Sequence, residues 1–400
     1  MISRRWFFAL PACCPAMDWP QWRGPARDGV LPPYSWPATF PSQLTRKWSI
    51  DIGTGHSCPI LAGGVGYVFA RKGDQETLYA FEPMTGKVRW QQGYSAPYEM
   101  NSAATHHGKG PKSTPLFSNG RIYTMGISGI LTCWDASGKP AWRKEFSKEF
   151  KQTSPLYGTA MSPMVDEGLL IAHVGGDDGG ALTAFDAGTG AVKWRWTGDG
   201  PAYASPMVAA LSGVRQVVAQ TQQNIVGLSQ KTGALLWKMP FTTAYVQNAV
   251  TPLVYKDLLI LSGLGNGTFA VRVKPSGTPE TVWHNKEIGM YMNSPVLAGD
   301  TLYGFSNRNR GMYFGMDART GKVTWQGEGR RGDNAALVLS GNLLFALNTS
   351  AELMLARPSP TSMQTLKTYT VAQSETWAHP LVLEKGVIIK DLQHLSLWAF

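Results

Sequence analysis

Residues 182–194 read Leu-Thr-Ala-Phe-Asp-Ala-Gly-Thr-Gly-Ala-Val-Lys-Trp, and this stretch decides the fold. Its first five residues alternate between two faces, as in a half-buried strand. Thr189 and Gly190 then predict a tight turn, because glycine readily adopts the positive φ that such a turn needs. The last three residues form the returning strand, so the stretch predicts a β-hairpin that ends on Trp194.

The hairpin and its closing tryptophan recur along the chain at intervals of roughly 40 to 55 residues. The tryptophans that mark the repeat are Trp48, Trp90, Trp142, Trp194, Trp237, Trp283 and Trp325. A proline keeps step with them at Pro59, Pro115, Pro163, Pro206, Pro252, Pro295 and Pro380, and Ala336 takes its place in the seventh unit. Two markers in step over the whole chain indicate a repeat architecture.

Each unit supplies four short antiparallel strands. In the third unit, Ser162 and Pro163 open a first strand and residues 169–172 form a second, ahead of the hairpin at 182–194. One such sheet cannot cover both its faces, whereas neighbouring sheets in a ring can. We therefore predict an all-β fold, a β-propeller of four-stranded antiparallel blades with a tryptophan packed between adjacent blades.

The two chain ends predict how the ring closes. The last unit has three strands, near residues 379–383, 386–391 and 395–400, and residues 46–50 read as the missing fourth. Pairing them completes an eighth blade and removes exposed sheet edges. We therefore expect three regions, namely an export signal or lipoprotein leader at 1–17, an N-terminal extension at 18–44 and an eight-bladed propeller at 45–400.

The seventh unit departs from the pattern. Residues 357–360 read Arg-Pro-Ser-Pro where other units have Thr-Gly, and Tyr369 stands in the tryptophan position. We expect an irregular outer hairpin in this blade.

The charge pattern argues against nucleic acid as a partner. The net charge is +10, but lysine and arginine are scattered singly along the repeats and only 16% of residues are charged. An anionic surface or partner fits this distribution better. No stretch approaches the roughly 18 consecutive apolar residues of a membrane span. We expect a monomer without a transmembrane segment.

The first residues predict export. Residues 3–7 resemble a twin-arginine start, and residues 10–13 resemble a lipoprotein cleavage box that would place a lipid anchor on Cys13. Both alternatives remain open at this stage. Cys58 and Cys133 fall in apolar strand contexts of different blades, so we expect buried free thiols rather than a disulfide framework.

The loops before the prolines should line one mouth of the channel, where propellers place ligands. The loops before Pro115 and Pro163 are enlarged, which favours a role in recognition. The candidate ligand-binding residues are His56, His106, His107, Tyr157, Tyr203, Asn248, Asn293, Asp333, Asn334, Trp377 and His379. No ligand spacing accompanies the adjacent histidines, so no metal site is expected. A separate N-terminal motif, Trp22 and Arg23, precedes the first strand, and it either plugs or caps the ring or adds to a binding surface.

Several segments resemble the bacterial PQQ-like (pyrroloquinoline quinone-like) repeat propellers. Residues 18–25 read Asp-Trp-Pro-Gln-Trp-Arg-Gly-Pro and are followed by Arg-Asp-Gly at 27–29, which resembles the opening of that family. The hairpin at 182–194 resembles its repeat, and residues 110–115 and 203–206 resemble further family segments. The resemblance covers nearly the whole chain and implies the propeller fold, but it does not define an activity.

Two branches of this family imply different functions. Quinoprotein alcohol and glucose dehydrogenases bind the quinone and Ca²⁺ on the propeller axis, and they need acidic residues there. Other members are non-catalytic scaffolds, such as the propeller lipoprotein of the outer-membrane β-barrel assembly machinery. In this sequence Asp333 and Glu375 are the carboxylates placed near the axis, and the adjacent pair Cys13-Cys14 lies in the leader.

We therefore expect an exported scaffold in the periplasm or cell envelope that binds a protein partner or a small ligand without a catalytic role or a cofactor. One alternative is a small dehydrogenase that uses PQQ and Ca²⁺. The other is a carbohydrate-binding module of a cell-surface system, which would use the aromatic residues Tyr157, Tyr203, Tyr245, Tyr291 and Trp377.

Overall fold

The computed structural model describes residues 18–274 and 276–400. The predictions for the leader at 1–17 and for an anchor at Cys13 lie outside the described residues. Within the described residues, thirty-three strands form eight sheets, joined by loops that contain three short 3₁₀ helices at Ser102–His107, Ala244–Val246 and Arg308–Arg310. None of the described helices is long and apolar enough to cross a membrane.

The first four blades each contain four consecutive strands, because each unit carries its own pair of hairpins. Blade 1 consists of β3 (Ile60–Ala62), β4 (Val65–Lys72), β5 (Gln75–Phe81) and β6 (Val88–Ser95). Blade 2 consists of β7 (Leu116–Ser118), β8 (Arg121–Met125), β9 (Leu131–Asp135) and β10 (Pro140–Lys144). Blade 3 consists of β11 (Met164–Asp166), β12 (Leu169–Gly176), β13 (Gly179–Asp186) and β14 (Val192–Trp196). Blade 4 consists of β15 (Met207–Leu211), β16 (Val214–Gln220), β17 (Asn224–Ser229) and β18 (Leu235–Pro240).

The next three blades repeat this order. Blade 5 consists of β19 (Leu253–Tyr255), β20 (Leu258–Gly263), β21 (Gly267–Val273) and β22 (Pro279–Asn285). Blade 6 consists of β23 (Val296–Ala298), β24 (Thr301–Ser306), β25 (Met312–Asp317) and β26 (Val323–Gln326). Blade 7 consists of β27 (Ala335–Ser340), β28 (Leu343–Asn348), β29 (Glu352–Ser359) and β30 (Ser362–Thr370), with the short parallel strand β1 (Val30–Leu31) added at the edge of β27.

The two chain ends share the eighth blade, as predicted. Its first three strands are β31 (Leu381–Leu383), β32 (Gly386–Lys390) and β33 (His394–Ala399), and its fourth is β2 (Thr45–Asp51). β2 pairs antiparallel with β33, from Thr45 opposite Ala399 to Asp51 opposite His394. The prediction of an eight-bladed propeller closed by the N-terminal and C-terminal strands is confirmed.

The repeated tryptophans pack between blades and also form hydrogen bonds across the interface. Six of them donate Nε1–H to a backbone carbonyl of the next blade, in the pairs Trp48–Pro83, Trp90–Ala136, Trp142–Ala187, Trp194–Gln230, Trp283–Ala318 and Trp325–Ser359. Trp237 is the exception, since it donates to Gln216 of its own blade. A buried indole N–H needs a partner, so the tryptophan both fills the interface and fixes its register.

The residues before the prolines form a belt of hydrogen bonds between blades. The backbone N–H of one such residue donates to the side chain of its counterpart in the next blade, in the pairs His379–Cys58, Cys58–Thr114, Thr114–Ser162, Ser162–Ser205 and Thr251–Ser294. The Ser or Thr of the repeat is therefore a structural residue. Cys58 takes the same position with a thiol, and both Cys58 and Cys133 are free and buried, as predicted.

The expectation of an irregular outer hairpin in blade 7 is wrong. β29 and β30 pair over their whole length, from Glu352 opposite Thr370 to Ser359 opposite Ser362, with one register shift like those in other blades. Pro358 lies in the outer part of the hairpin opposite Met363, and Tyr369 replaces the tryptophan without disrupting the ladder. The tight turn simply lies further out, so the hairpin is longer than in other blades.

Candidate functional site

The N-terminal segment 18–31 runs through the ring and contacts most of its blades. It enters beside the first hairpin turn of blade 1, where Trp19 exchanges two backbone hydrogen bonds with Leu61. Pro20 accepts a hydrogen bond from the N–H of Phe117 in blade 2. The segment leaves as β1, which pairs with β27 of blade 7. The backbone of the segment therefore lies across the ring between its blades, and Trp22 also lines the cavity described below.

Two buried arginines fix this segment, the plug, to two different parts of the ring. Arg23 donates to the carbonyl oxygens of Ser294 and Pro295 in blade 6. Arg27 donates to the carbonyl oxygens of Ser162 and Pro163 in blade 3. Burial lowers the pKa of Arg23 to about 10 and that of Arg27 to about 9, so both guanidinium groups stay charged near neutral pH.

Above the plug, the mouth of the channel holds a cavity of about 150 Å³, enough for several water molecules or a small organic group. Its walls come from the N-terminal segment and from the loops that enter most of the blades. The lining residues are Trp22, His56, His107, Lys112, Tyr157, Ala160, Tyr203, Ser205, Gln247, Ala249, Thr251, Met292, Asn334, Trp377 and His379. The lining therefore combines aromatic and apolar side chains with a similar number of polar and ionisable ones.

Aromatic rings and histidines form one side of the cavity. Trp22 lies edge-on to His379, with ring centroids 4.6 Å apart, and its Nε1–H donates to Thr251 Oγ1. His107 lies edge-on to Trp377 at 5.3 Å. Burial lowers the pKa of His56 and His379 to about 3 and that of His107 to about 4, so all three imidazoles are neutral near pH 7.

The lining contains one lysine, Lys112, which lies close enough to His56 and His107 to disfavour their protonation. Lys112 Nζ donates to the carbonyl oxygen of Tyr157 at 2.5 Å, and Tyr157 packs edge-on against Tyr203 with ring centroids 5.8 Å apart. Burial lowers the pKa of Lys112 to about 8, so the ammonium form still prevails near pH 7.

The structure brings together eight of the residues predicted from the sequence and separates the other five from the cavity. Trp22, His56, His107, Tyr157, Tyr203, Asn334, Trp377 and His379 line it. His106 and Asp333 are exposed to solvent and do not line the cavity. Asn248, Asn293 and Arg23 are buried in the protein interior. Asn248, for example, donates its Nδ2–H groups to backbone carbonyls of Thr221, Gln222 and Phe241.

Sequence reasoning missed Lys112, Gln247 and Met292 as lining residues. Lys112 stands one residue ahead of the Ser-Thr-Pro signal of blade 2, in a segment that marks the family resemblance, so its position gave a usable signal. Gln247 and Met292 reach the cavity through loop conformations that the repeat pattern does not specify. One such loop holds Tyr245 and Val246 at positive φ, a conformation that branched residues rarely adopt.

The residues present do not fit a quinone held by Ca²⁺. Calcium takes six to eight oxygen ligands, usually including carboxylates, but none of the lining residues carries one. Asp333 is exposed outside the cavity, and exposed Glu375 accepts a hydrogen bond from Trp377 Nε1 at 2.9 Å. Across the part of the chain that the structure describes, no group of three or more His, Cys, Asp or Glu residues is arranged to hold a metal ion.

Comparison with known proteins defines the class. The sequence model of the family described as outer membrane protein assembly factor BamB matches residues 74–327, more than half of the chain. The chain therefore belongs to this family of PQQ-like repeat propellers.

Curated relatives come from both branches of the PQQ-like propellers. The chain is 27% identical over 228 residues to the outer membrane protein assembly factor BamB of Shewanella oneidensis, a match that covers 53% of this chain and 55% of that protein. It is 27% identical over 282 residues to the dehydrogenase subunit of the quinone alcohol dehydrogenase of Komagataeibacter europaeus, covering 62% of this chain and 35% of that protein. The matches thus span about half or less of these relatives' own length.

Solved structures share the fold. BamB from Moraxella catarrhalis superposes with a TM-score of 0.62 at 16% identity, covering 89% of this chain and 100% of that chain. The quinohemoprotein alcohol dehydrogenase from Comamonas testosteroni superposes with a TM-score of 0.68 at 14% identity, covering 96% of this chain and 80% of that chain. Since an assembly factor and a dehydrogenase both superpose on this chain, the fold does not distinguish between their functions.

Proposed function

We propose that this chain is an exported, non-catalytic propeller that acts as a binding scaffold in the cell envelope, with the mouth of the channel as its recognition site. The observation that supports this most is the lining of the mouth cavity, which combines aromatic rings, neutral histidines and a lysine without a carboxylate. Such a surface offers contact area and hydrogen bonds for binding. It offers no carboxylate to act as the base or as an anionic cation ligand in redox chemistry.

The family supports a protein partner in the envelope. The family model and a curated relative both carry the name outer membrane protein assembly factor, and the predicted leader agrees with export. At the mouth face, Tyr245 is 79% exposed on a loop next to the cavity. Exposed aromatic side chains that are held rigidly are frequent anchors at protein interfaces.

Affinity isolation of the tagged, full-length chain from its own cell envelope tests this proposal. We expect a specific partner with the wild type and almost none of it with a mouth variant, Tyr203→Ala with Trp377→Ala. Two interface anchors that contribute about 2 kcal/mol each would together lower the affinity roughly a thousandfold. The matched control is an outer-edge variant, Leu235→Ser with Leu236→Ser, which changes two exposed residues of blade 4. If the outer-edge variant loses the partner and the mouth variant keeps it, the recognition site is misplaced.

Two other functions have specific support. The first is a small quinoprotein dehydrogenase, which the quinone alcohol dehydrogenases among the relatives support. Asp333 or Glu375 would be its acidic group, although neither carboxylate lines the cavity. The aromatic rim favours carbohydrate, because sugars stack on exposed rings such as Tyr245. Binding on a glycan array that disappears in the same mouth variant would move the assignment to carbohydrate recognition.

A further inference from the structure

The mouth cavity contains a partly buried cation, Lys112, that has no anionic partner among the described residues. The hydrogen bond described for Lys112 Nζ goes to a neutral carbonyl, that of Tyr157, and no described salt bridge involves this lysine. An ammonium group keeps two further N–H donors after one hydrogen bond. Burying a charge without a counter-charge is costly, so the site favours a ligand that supplies the negative charge.

The plug, which forms the floor of the cavity, adds the positive charge of two arginines. Arg23 and Arg27 are both fully buried, and the hydrogen bonds described for their guanidinium groups go to backbone carbonyls and to the side chain of Gln21. Asp28 compensates part of this charge. Asp177 near Tyr203, Glu375 beside Trp377 and Asp333 next to Asn334 are exposed to solvent, where water and salt screen them.

Two buried polar atoms of the lining also lack a partner. Nδ1 of His379 and Oδ1 of Asn334 are buried and make no hydrogen bond in the described structure. His379 is neutral, so its Nδ1 carries the hydrogen in one tautomer and donates in that form. Buried polar groups are normally satisfied, and these two belong to side chains that face the same cavity as Lys112.

The aromatic walls of the cavity determine which uncharged part of a ligand fits beside the carboxylate. The indole of Trp22 is held by Thr251 and by contact with His379, and the indole of Trp377 is held by Glu375. Fixed aromatic rings bind planar apolar groups at a low entropic cost. An acidic ligand with a small aromatic or apolar body therefore matches both the charge and the walls.

We propose that the mouth cavity binds the carboxylate group of a small aromatic acid, or of an aromatic residue at a peptide C-terminus, with Lys112 and His379 as donors to the carboxylate and Trp22 and Trp377 as contacts for the ring. This inference rests on the proposed function and specifies the chemical class that its recognition site takes.

Isothermal titration of the full-length chain tests the proposal. The probes are phenylacetate and indole-3-acetate, their neutral amides, and a short peptide ending in phenylalanine as the free acid or the amide. We expect the acids to bind and the amides to bind at least about tenfold more weakly, because a charge-assisted hydrogen bond is lost. Lys112→Met should weaken the acids by a similar factor, and Lys112→Arg should restore part of the affinity.

Lys109→Met is the matched control, since Lys109 is exposed on the same loop, and it should bind like the wild type. Binding of the free small acids alone assigns the site to metabolites, whereas tighter binding of the peptide acid assigns it to a protein C-terminus. The carboxylate proposal is overturned if no acid binds, if the amides bind equally well, or if Lys112→Met has no effect in a folded protein. The proposed scaffold function would survive such a result if affinity isolation still recovered a partner with the wild type and lost it with the Tyr203→Ala, Trp377→Ala variant.

Discussion

Replacing Arg23 by alanine should lower the free energy of unfolding by about 3 kcal/mol or more, because several charge-assisted hydrogen bonds disappear at once. The guanidinium group is 2% exposed and donates to the carbonyl oxygens of Arg27, Asp28, Ser294 and Pro295. Alanine leaves these buried acceptors without a donor and also leaves a cavity. Removing the guanidinium group also removes the cost of burying its charge. The stability lost with the hydrogen bonds is larger, because the carbonyl acceptors stay buried without a donor.

Chemical denaturation followed by tryptophan fluorescence measures this effect. Arg357→Ala is the matched control, because Arg357 is exposed on the outer hairpin of blade 7, and surface substitutions of this kind change stability by about 0.5 kcal/mol or less. We also expect Trp22 to become more accessible to a quencher in Arg23→Ala, since the plug loses its hold on blade 6. Equal stability of the two variants would show that the plug does not stabilise the ring.

The second large effect is expected for Gly190→Ala, at about 3 kcal/mol. Gly190 has φ +72°, where an L-residue costs about 1–2 kcal/mol. A Cβ at this position would lie 2.8 Å from the ring of Trp142 in the preceding blade, so the indole and its hydrogen bond to Ala187 must shift. The turn glycine of one blade thus leaves room for the tryptophan of its neighbour.

Gly168→Ala separates backbone strain from this contact. Gly168 also lies in blade 3 with φ +79°, but a Cβ there would meet no atom within 4 Å. We expect Gly168→Ala to cost about 1 kcal/mol, which is the strain alone. Thermal and denaturant unfolding of the two variants should therefore differ by about 2 kcal/mol, in line with the cost of overpacking. Equal free energies of unfolding for the two variants would mean that Trp142 moves aside without a loss of stability.

The fold is predictable from the sequence because the tryptophan and the proline of the repeat each mark a local strand or turn, and both recur in step along the chain. The last unit lacks a fourth strand and the strand around Trp48 has no unit of its own, and together these two facts predict the pairing of β2 with β33. The role of each tryptophan as a hydrogen-bond donor was not predicted, since Trp142 and Ala187 belong to different units and local periodicity says nothing about their contact. A Pro-Ser-Pro sequence normally indicates a break in a strand, which is why the sequence does not predict the regular hairpin of blade 7. Pro358 is accommodated because it lies in the outer part of that hairpin.

The site was predictable in its location but not in its composition. Loops before the prolines were expected at the mouth, and His56, Tyr203 and Trp377 are there. The same argument gave Asn248, whose side chain instead turns inward to three backbone carbonyls. Contacts such as Arg23 with Ser294 join residues 271 positions apart, and no spacing rule predicts them. The plug, and with it the floor of the cavity, therefore became visible only in three dimensions.

The central claim is that the mouth of this channel binds without redox chemistry, and dye-linked turnover tests it most directly. The purified full-length chain is incubated with pyrroloquinoline quinone and Ca²⁺, and dye reduction is followed with a panel of primary alcohols and aldoses, alongside a quinoprotein dehydrogenase as positive control. We predict no dye reduction above the rate without protein, because no carboxylate lines the cavity to hold the cation or accept the proton. Substrate-dependent turnover that disappears in Asp333→Asn or Glu375→Gln would contradict this prediction and identify the protein as an enzyme.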